Sequence, residues 1–471
     1  MCAAKRGGFW LLVATPLLAS SYLVLLASGA FDSKPVSYPD LEVQPVGPTF
    51  PILAALQASP EWNAWEATKE TREEALSELR QLDASSPAAE IADKLRPEVA
   101  RAIVLAEGLL EQPEMLGISP QQGLFWDDAN GEAQSFRAVF TGLAASVYLT
   151  SSPAGPRQLD PKLSALALRL LAKSRVIGGQ HIIGRLVWLT AEENSHKIVA
   201  TDLHQAIHRR ERERIQALLP LLGECRTAGD KFTANALKAE FKFMSKLLEY
   251  ARDQLGNGRS IDASGDAEPW DKYFEQQWSS LRIQPNRCVA LLAEKYRKLI
   301  KFTTMQSCAR VWPEDISCWP SDFPESLQPN AEGAYYVAAG HSALKGTFNF
   351  EDICLARHQL LRLLIALTLY RMDHGDKLPT DLGALVPGYL PDMPCDTFTG
   401  EPPLYDPVAG TLAFRGTDFV ASPDPVDGQV MEKFRLQGLP PGVAGVFERE
   451  GAHDPGFDLK AFFAAPATAV P

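Results

Sequence analysis

The sequence predicts a mainly α protein: an irregular helical bundle or array behind an N-terminal transmembrane helix, with a small C-terminal module of one helix and a short antiparallel sheet. Three observations carry this. An uncharged run, FWLLVATPLLASSYLVLLASGAF at 9–31, follows Lys5 and Arg6. Helical periodicity then fills residues 61 to 304 with short breaks. Alternation of the β type is absent until residue 385, where turn residues crowd together.

At about 1.5 Å rise per residue, the run 9–31 is long enough to cross a bilayer. Basic residues before it and an acidic chain after it place the N-terminus in the cytoplasm and the body in the periplasm or outside the cell. Ser28 and Ala30 also suit a processing site, so a cleaved signal peptide is the alternative. Both readings export the body. Residues 32–60, rich in proline and poor in charge, read as an extended tether.

A helical domain over 61–349 comes next. EWNAWEATKETREEALSELRQL (61–82) holds strong helix formers with charged pairs at helical spacing. PAAEIADKLRPEVARAIVLAEGLL (87–110) continues, and Pro97 predicts a kink or a fresh start. WDDANGEAQ (126–134) reads as a turn that caps a helix with Phe136, Val139, Phe140, Leu143 and Val147 on one face. Further helices are expected at 159–175, 180–220, 228–255 and 286–304, with a polar loop at 256–270 and a proline-rich link at 312–329. No repeat period holds over three units, which excludes a regular solenoid.

Composition bounds the partners. The 471 residues suit two or three domains, and 46% hydrophobic with 22% charged residues is ordinary globular usage. A formal charge of −12 excludes a general nucleic-acid binder, since phosphate neutralisation needs a basic surface. The one dense basic run, HRRERER at 208–214, is interleaved with Glu and reads as a solvated helix face. Cys2 falls on the cytoplasmic side, leaving six cysteines where disulfides form. Cys308 and Cys318 bracket a Pro- and Trp-containing loop and are the candidate disulfide. Buried thiols are the alternative for Cys225, Cys288 and Cys354.

The sharpest chemical constellation is SHKIVATDLHQAIH at 195–208. His204 and His208 lie at i and i+4, His196 lies two turns earlier, and Glu192 and Glu193 are near. This makes His196, His204 and His208 a candidate zinc set, with core-edge histidines as the alternative. Gln205 stands where a zinc protease needs a Glu as general base, so that reaction is excluded. GLFWDDANGE lacks the carboxylates of a calcium loop at Trp126 and Arg137, and GGQHIIG lacks the Lys-Ser/Thr of a phosphate loop.

CLARHQLLRLLIALTLYRMDHGDK (354–377) is an apolar helix that Gly375 and Pro379 stop. LPDMPCDTFTGEPPLYDP (390–407) follows as tight turns delivering a short strand, which TLAFR pairs with across Ala409 and Gly410. Tyr370, Asp373, Gly375, Tyr389, Leu390, Pro391, Pro394, Asp396, Phe398, Gly400, Pro402, Tyr405, Asp418, Phe419, Asp424, Asp427 and Gly428 fall in an order that resembles the C-terminal region of type II secretion pseudopilins. The likeness covers about 355–430. It implies a helix plus small sheet over 350–435 before an irregular tail at 436–471, and calcium at Asp418, Asp424 and Asp427. Val13 stands where that family has a Glu after its processing site, so the local fold carries over and filament assembly does not. The helical body with this tail also resembles membrane-anchored helical proteins of the bacterial envelope.

The expected role is therefore a non-enzymatic, single-pass scaffold or interaction component of the cell envelope, with the membrane and an envelope protein as partners. A metal-dependent envelope hydrolase using His196, His204 and His208, and an accessory of a secretion or pilus-like system, are the alternatives.

Overall fold

The computed structural model describes residues 34, 36–43, 49–72, 74–75, 88–118, 127–151, 158–226, 232–256, 284–305, 309–310, 341–414 and 456–464. The protein is mainly helical. Among the described residues, the helices longer than four residues are, in chain order, α1 (Ile52–Gln57), α2 (Pro60–Ala67), α3 (Ala88–Glu111), α4 (Asp127–Ser151), α5 (Lys162–Lys173), α6 (Ile182–His208), α7 (Arg212–Cys225), α8 (Phe232–Gly256), α9 (Pro285–Phe302), α10 (His341–Asp373) and α11 (Leu459–Phe463), with a single helical turn at Ile177–Gln180 before α6. Residues 9–31, the predicted span, lie outside the described residues.

Two units are distinguished. The larger comprises Pro45–Ala236, Phe302–Arg310 and Thr347–Pro471; the smaller comprises Met1–Gln44, Leu237–Lys301 and Val311–Gly346.

In the larger unit the leucine and phenylalanine stripes do what their spacing requires. Phe136, Val139, Phe140, Leu143 and Val147 of α4 are all buried, and α4 packs along α6 and against α3. On α5, Leu163, Leu166, Ala167, Leu170 and Leu171 form a second stripe, turned toward α6 and α7. Helix α6 has no single polar face: buried residues run from Gly184 to Ala206 on all sides. It is a central helix, and its charges must be solved internally.

The ends of the helices have local causes. His181 caps α6, its Nδ1 accepting from Gly184 N at 2.8 Å. Arg210 (φ 56°) ends α6 in a left-handed turn, with Glu211 N donating to Ala206 O and Arg210 N to Ile207 O, both at 3.0 Å. A glycine would hold that φ without strain. Gly375 (φ 65°) performs the same task for α10, where Asp376 N reaches Arg371 O at 2.8 Å. Pro97 does not divide α3, which runs through it, and the predicted cap at 126–134 is already helix from Asp127.

Short strands escape periodicity. Thr49–Pro51 (β1) pairs in parallel with Met115–Gly117 (β2), a contact three residues long that shows no alternation. Leu404–Asp406 (β3) and Thr411–Ala413 (β4) form the expected hairpin, with Asp406 Oδ1 accepting from Val408 N and Ala409 N at 2.8 Å. Gly410 (φ 76°) closes it where a Cβ would meet Lys460 Cγ at 2.5 Å. Gly456–Asp458 (β5) adds a third strand beside β4, so this part of the 436–471 tail is regular.

One apolar core joins α1 to α7, α10, the hairpin and α11. The boundary expected at 349/350 falls inside α10, and Leu385, Leu390, Phe398, Leu412 and Phe414 of the C-terminal segment share the core of the helical body. Helix α10 from Gly346 is long and apolar enough to cross a membrane, yet its most apolar stretch is mostly buried inside the protein. It is a core helix.

The tether expected over 32–60 is not extended where it is described: Thr49–Gln57 is strand β1 and helix α1 with Ile52 and Leu56 in the core of the larger unit, and residues 38–41 depart from it in the smaller unit. Pro39–Leu41 is a 3-10 turn with Leu41 buried. Arg297 donates to both oxygens of Asp40 at 2.6 and 2.9 Å, and Tyr38 meets Phe241 edge-on at 5.9 Å. Both ionic partners are about half exposed, so ring packing and Leu41 hold this turn more than the charge pair does.

Candidate functional site: a buried ionic and imidazole layer

Charges that α6 carries into the core meet partners from α7, α8 and α10. Arg226, just past α7, grips Glu192 side-on, Nε to Oε1 at 2.5 Å and Nη2 to Oε2 at 2.6 Å. Glu193 is held between Lys197 Nζ at 3.0 Å and Arg357 Nη1 at 3.3 Å. Glu351 is paired with Arg185, and the Thr233 hydroxyl lies 2.8 and 2.6 Å from its two oxygens. Asp202 is paired with Arg214. Such pairs offset the cost of taking ions out of water only when nearly every donor is used.

Electrostatics follow from these contacts. Burial works against the charged form of Arg226, but the charge and hydrogen bonds of Glu192 outweigh it and hold the guanidinium above its usual pKa. Burial likewise opposes Glu351, and Arg185 with Arg226 overcomes it, leaving that carboxyl below its usual range. The thiols of Cys225 and Cys354 are pushed up by burial, then by the charge of Glu192. Cys225 Sγ donates to Leu168 O and Cys354 Sγ to Leu189 O, at 3.3 and 3.6 Å. As buried thiols they are poor nucleophiles.

At the centre, two imidazoles approach one carboxylate oxygen. Glu192 Oε1 is 3.9 Å from His196 Nε2 and 3.9 Å from His358 Nδ1. The two rings lie 5.5 Å apart between centroids. Burial drops His196 to about 3, reinforced by Arg226 and Arg357, and His358 is lowered too, by burial and then by His196. Both are neutral. Among the described residues, Glu192, His196 and His358 are the group whose ligand atoms all lie within 4.8 Å of one another.

The predicted zinc set is divided. Eight residues of helix separate His196 from His204, about 12 Å of rise, and His196 turns into the core toward α10. His204 and His208 do face each other, with ring centroids at 4.6 Å, but His204 Nδ1 is engaged by Phe462 O of α11 at 2.9 Å. His358 and Arg226 were missed because their partners lie far away in the sequence. The paired i, i+4 spacing of Cys354 and His358 is the one local signal. In the basic run 208–214, His208, Arg209, Arg210, Arg212 and Glu213 are exposed, as expected of a solvated face, and Arg214 alone turns inward to Asp202 at 17% exposure; Arg212 donates to both oxygens of Asp373 at 2.9 Å. Asp418, Asp424, Asp427, Cys308 and Cys318 lie outside the described residues.

Among the described residues that carry the C-terminal resemblance, several contact one another or the end of α10. Tyr389 OH donates to Asp373 Oδ2 at 3.0 Å, Tyr370 packs against Tyr389 at 5.7 Å, and Tyr405 OH donates to Pro379 O at 2.7 Å. Phe398 is buried behind a turn in which Asp396 Oδ1 accepts from its backbone N at 2.8 Å.

The cap at His181 carries a pH dependence. Its folded pKa is lowered to about 4 by burial, against about 6.5 unfolded. The unfolded chain therefore binds the proton first, and stability is lost as pH falls from 6.5 toward 4. Thermal melting is expected to show a steeper decline between pH 7 and 5 in the native protein than in His181→Asn, which keeps a capping acceptor that does not titrate. Identical slopes would remove His181 from the account.

A mainly helical protein with a sealed layer of paired ions and two imidazoles is the class that fold and site define. Comparison with protein-family models, curated proteins and solved structures finds no match to this chain.

Proposed function

We propose that the protein is a membrane-anchored, exported component of the cell envelope that works by interaction, its helical body acting as a scaffold for another envelope protein. The observation that carries this reading is the uncharged run 9–31 behind Lys5 and Arg6, ahead of an acidic body. The closed interior supports it. Glu192 and His196 are 0% exposed and His358 2%, so a substrate has no route to them. That same closure weighs against the hydrolase alternative. The pseudopilin-like order of tyrosines, prolines and aspartates favours a second reading, an accessory of a secretion or pilus-like system. Co-purification with filament subunits tests it, and a membrane pull-down without any such subunit counts against it.

Fractionation with a carbonate wash tests the first reading. The native chain should stay with the membrane, and a reporter enzyme active only outside the cytoplasm should work when fused after residue 60. Leu18→Arg with Leu25→Arg places two charges in the span at about 3 kcal/mol each, which should release the chain or block export. The mature mass separates anchor from cleaved signal. Full-length native chain recovered from the cytosol overturns the proposal.

A further inference from the structure

We infer that Glu192, His196 and His358 form a binding site for one transition-metal cation of the zinc class, joining α6 to α10 in the core of the larger unit. The starting observation is unmet valence. Both ring nitrogens of His196 and Nδ1 of His358 are buried without a hydrogen-bond partner. A neutral imidazole has one N–H and one lone pair to satisfy, and leaving such groups unpaired in a sealed core costs about 1–3 kcal/mol each. Buried polar atoms in native proteins are nearly always partnered, by protein, water or an ion.

The donor set suits the ion. Two imidazole nitrogens and a carboxylate oxygen are zinc ligands, and these come from two facing helices, Glu192 and His196 at i, i+4 on α6 and His358 on α10. Bonds of about 2.1 Å at tetrahedral angles set neighbouring ligand atoms about 3.4 Å apart. The two observed separations of 3.9 Å therefore need to shorten by about half an ångström. Arg226 orients the ligating carboxylate by binding both oxygens, the task outer-shell partners perform in metal sites. Its guanidinium and that of Arg357 oppose a dication, and the carboxylates of Glu192, Glu193 and Glu351 offset them. The site is closed to solvent, so the ion's work is structural.

The test uses the full chain produced in zinc-supplemented medium, so that the ion is present as the chain folds, then purified in mild detergent without chelator, dialysed and analysed for metal. About one zinc per chain is expected. His196→Gln and His358→Gln should each weaken zinc binding by about a hundredfold or more, while His204→Gln with His208→Gln leaves it unchanged. X-ray absorption on the zinc-loaded native protein, which does not depend on the variants folding, should show two imidazole ligands. Absence of stoichiometric zinc, zinc retained by a folded His358→Gln, zinc lost only in the His204/His208 variant, or a spectrum without imidazole would each overturn the inference.

Discussion

Arg226→Ala should cost about 3–5 kcal/mol of stability, read as a shift in the denaturant midpoint of the transition that unfolds α6. The mechanism is specific. The Glu192 side chain is 0% exposed, and Arg226 supplies the donors that its two carboxylate oxygens use. Removing the guanidinium leaves a buried anion beside two neutral imidazoles that offer it no hydrogen bond at 3.9 Å. Arg226→Met combined with Glu192→Leu removes the charge together with its partner and should recover most of the loss, because the expense lies in the unpaired ion rather than in the pair's attraction. A single variant within about 0.5 kcal/mol of native would show that Glu192 is satisfied some other way.

Trp188→Ala should be comparably damaging, about 3–5 kcal/mol. Trp188 is fully buried on α6, and its Nε1 donates to Leu171 O of α5 at 3.2 Å. Its ring also lies under two guanidinium groups of the ionic layer, Arg185 at 5.0 Å and Arg226 at 5.8 Å. Deleting it opens a cavity and strips an aromatic face from both cations. Trp188→Phe keeps a ring and loses one hydrogen bond, for about 1 kcal/mol plus the smaller volume. Leu171 O retains a partner in Ser174 Oγ at 3.1 Å, which limits that penalty. Because Trp188 and Arg226 touch, the Arg226→Ala and Trp188→Ala losses should not add; a double-mutant cycle should give coupling of about 0.5–3 kcal/mol. Strict additivity would argue against one cooperative layer.

Much of the framework was legible in the residues. The stripe Phe136, Val139, Phe140, Leu143, Val147 predicted a helix and its buried face, and Gly375 predicted where α10 stops. The hairpin across Ala409 and Gly410 was legible from turn chemistry alone. Strands β1 and β2 were not, because three residues carry no period, and neither was β5, whose partner strand lies far back in the chain. The start of α10 was missed for a related reason: HSALKGTFNF has little apolar repeat, and the helix there continues from the segment that follows.

The site divides in the same way. Sequence by itself determined that α6 carries two adjacent glutamates and a histidine one turn on, and that an oily, uncharged run precedes an acidic body. Spacing on a helix states which residues share a face, since each residue's direction depends only on its own turn. It does not state what that face meets. Arg226 reaches Glu192 from 34 residues away, and Glu351 pairs with Arg185 across 166. Those meetings were decided by how the helices pack, because an ion in a low-dielectric core is tolerated only where another part of the fold brings its counter-charge within bonding distance.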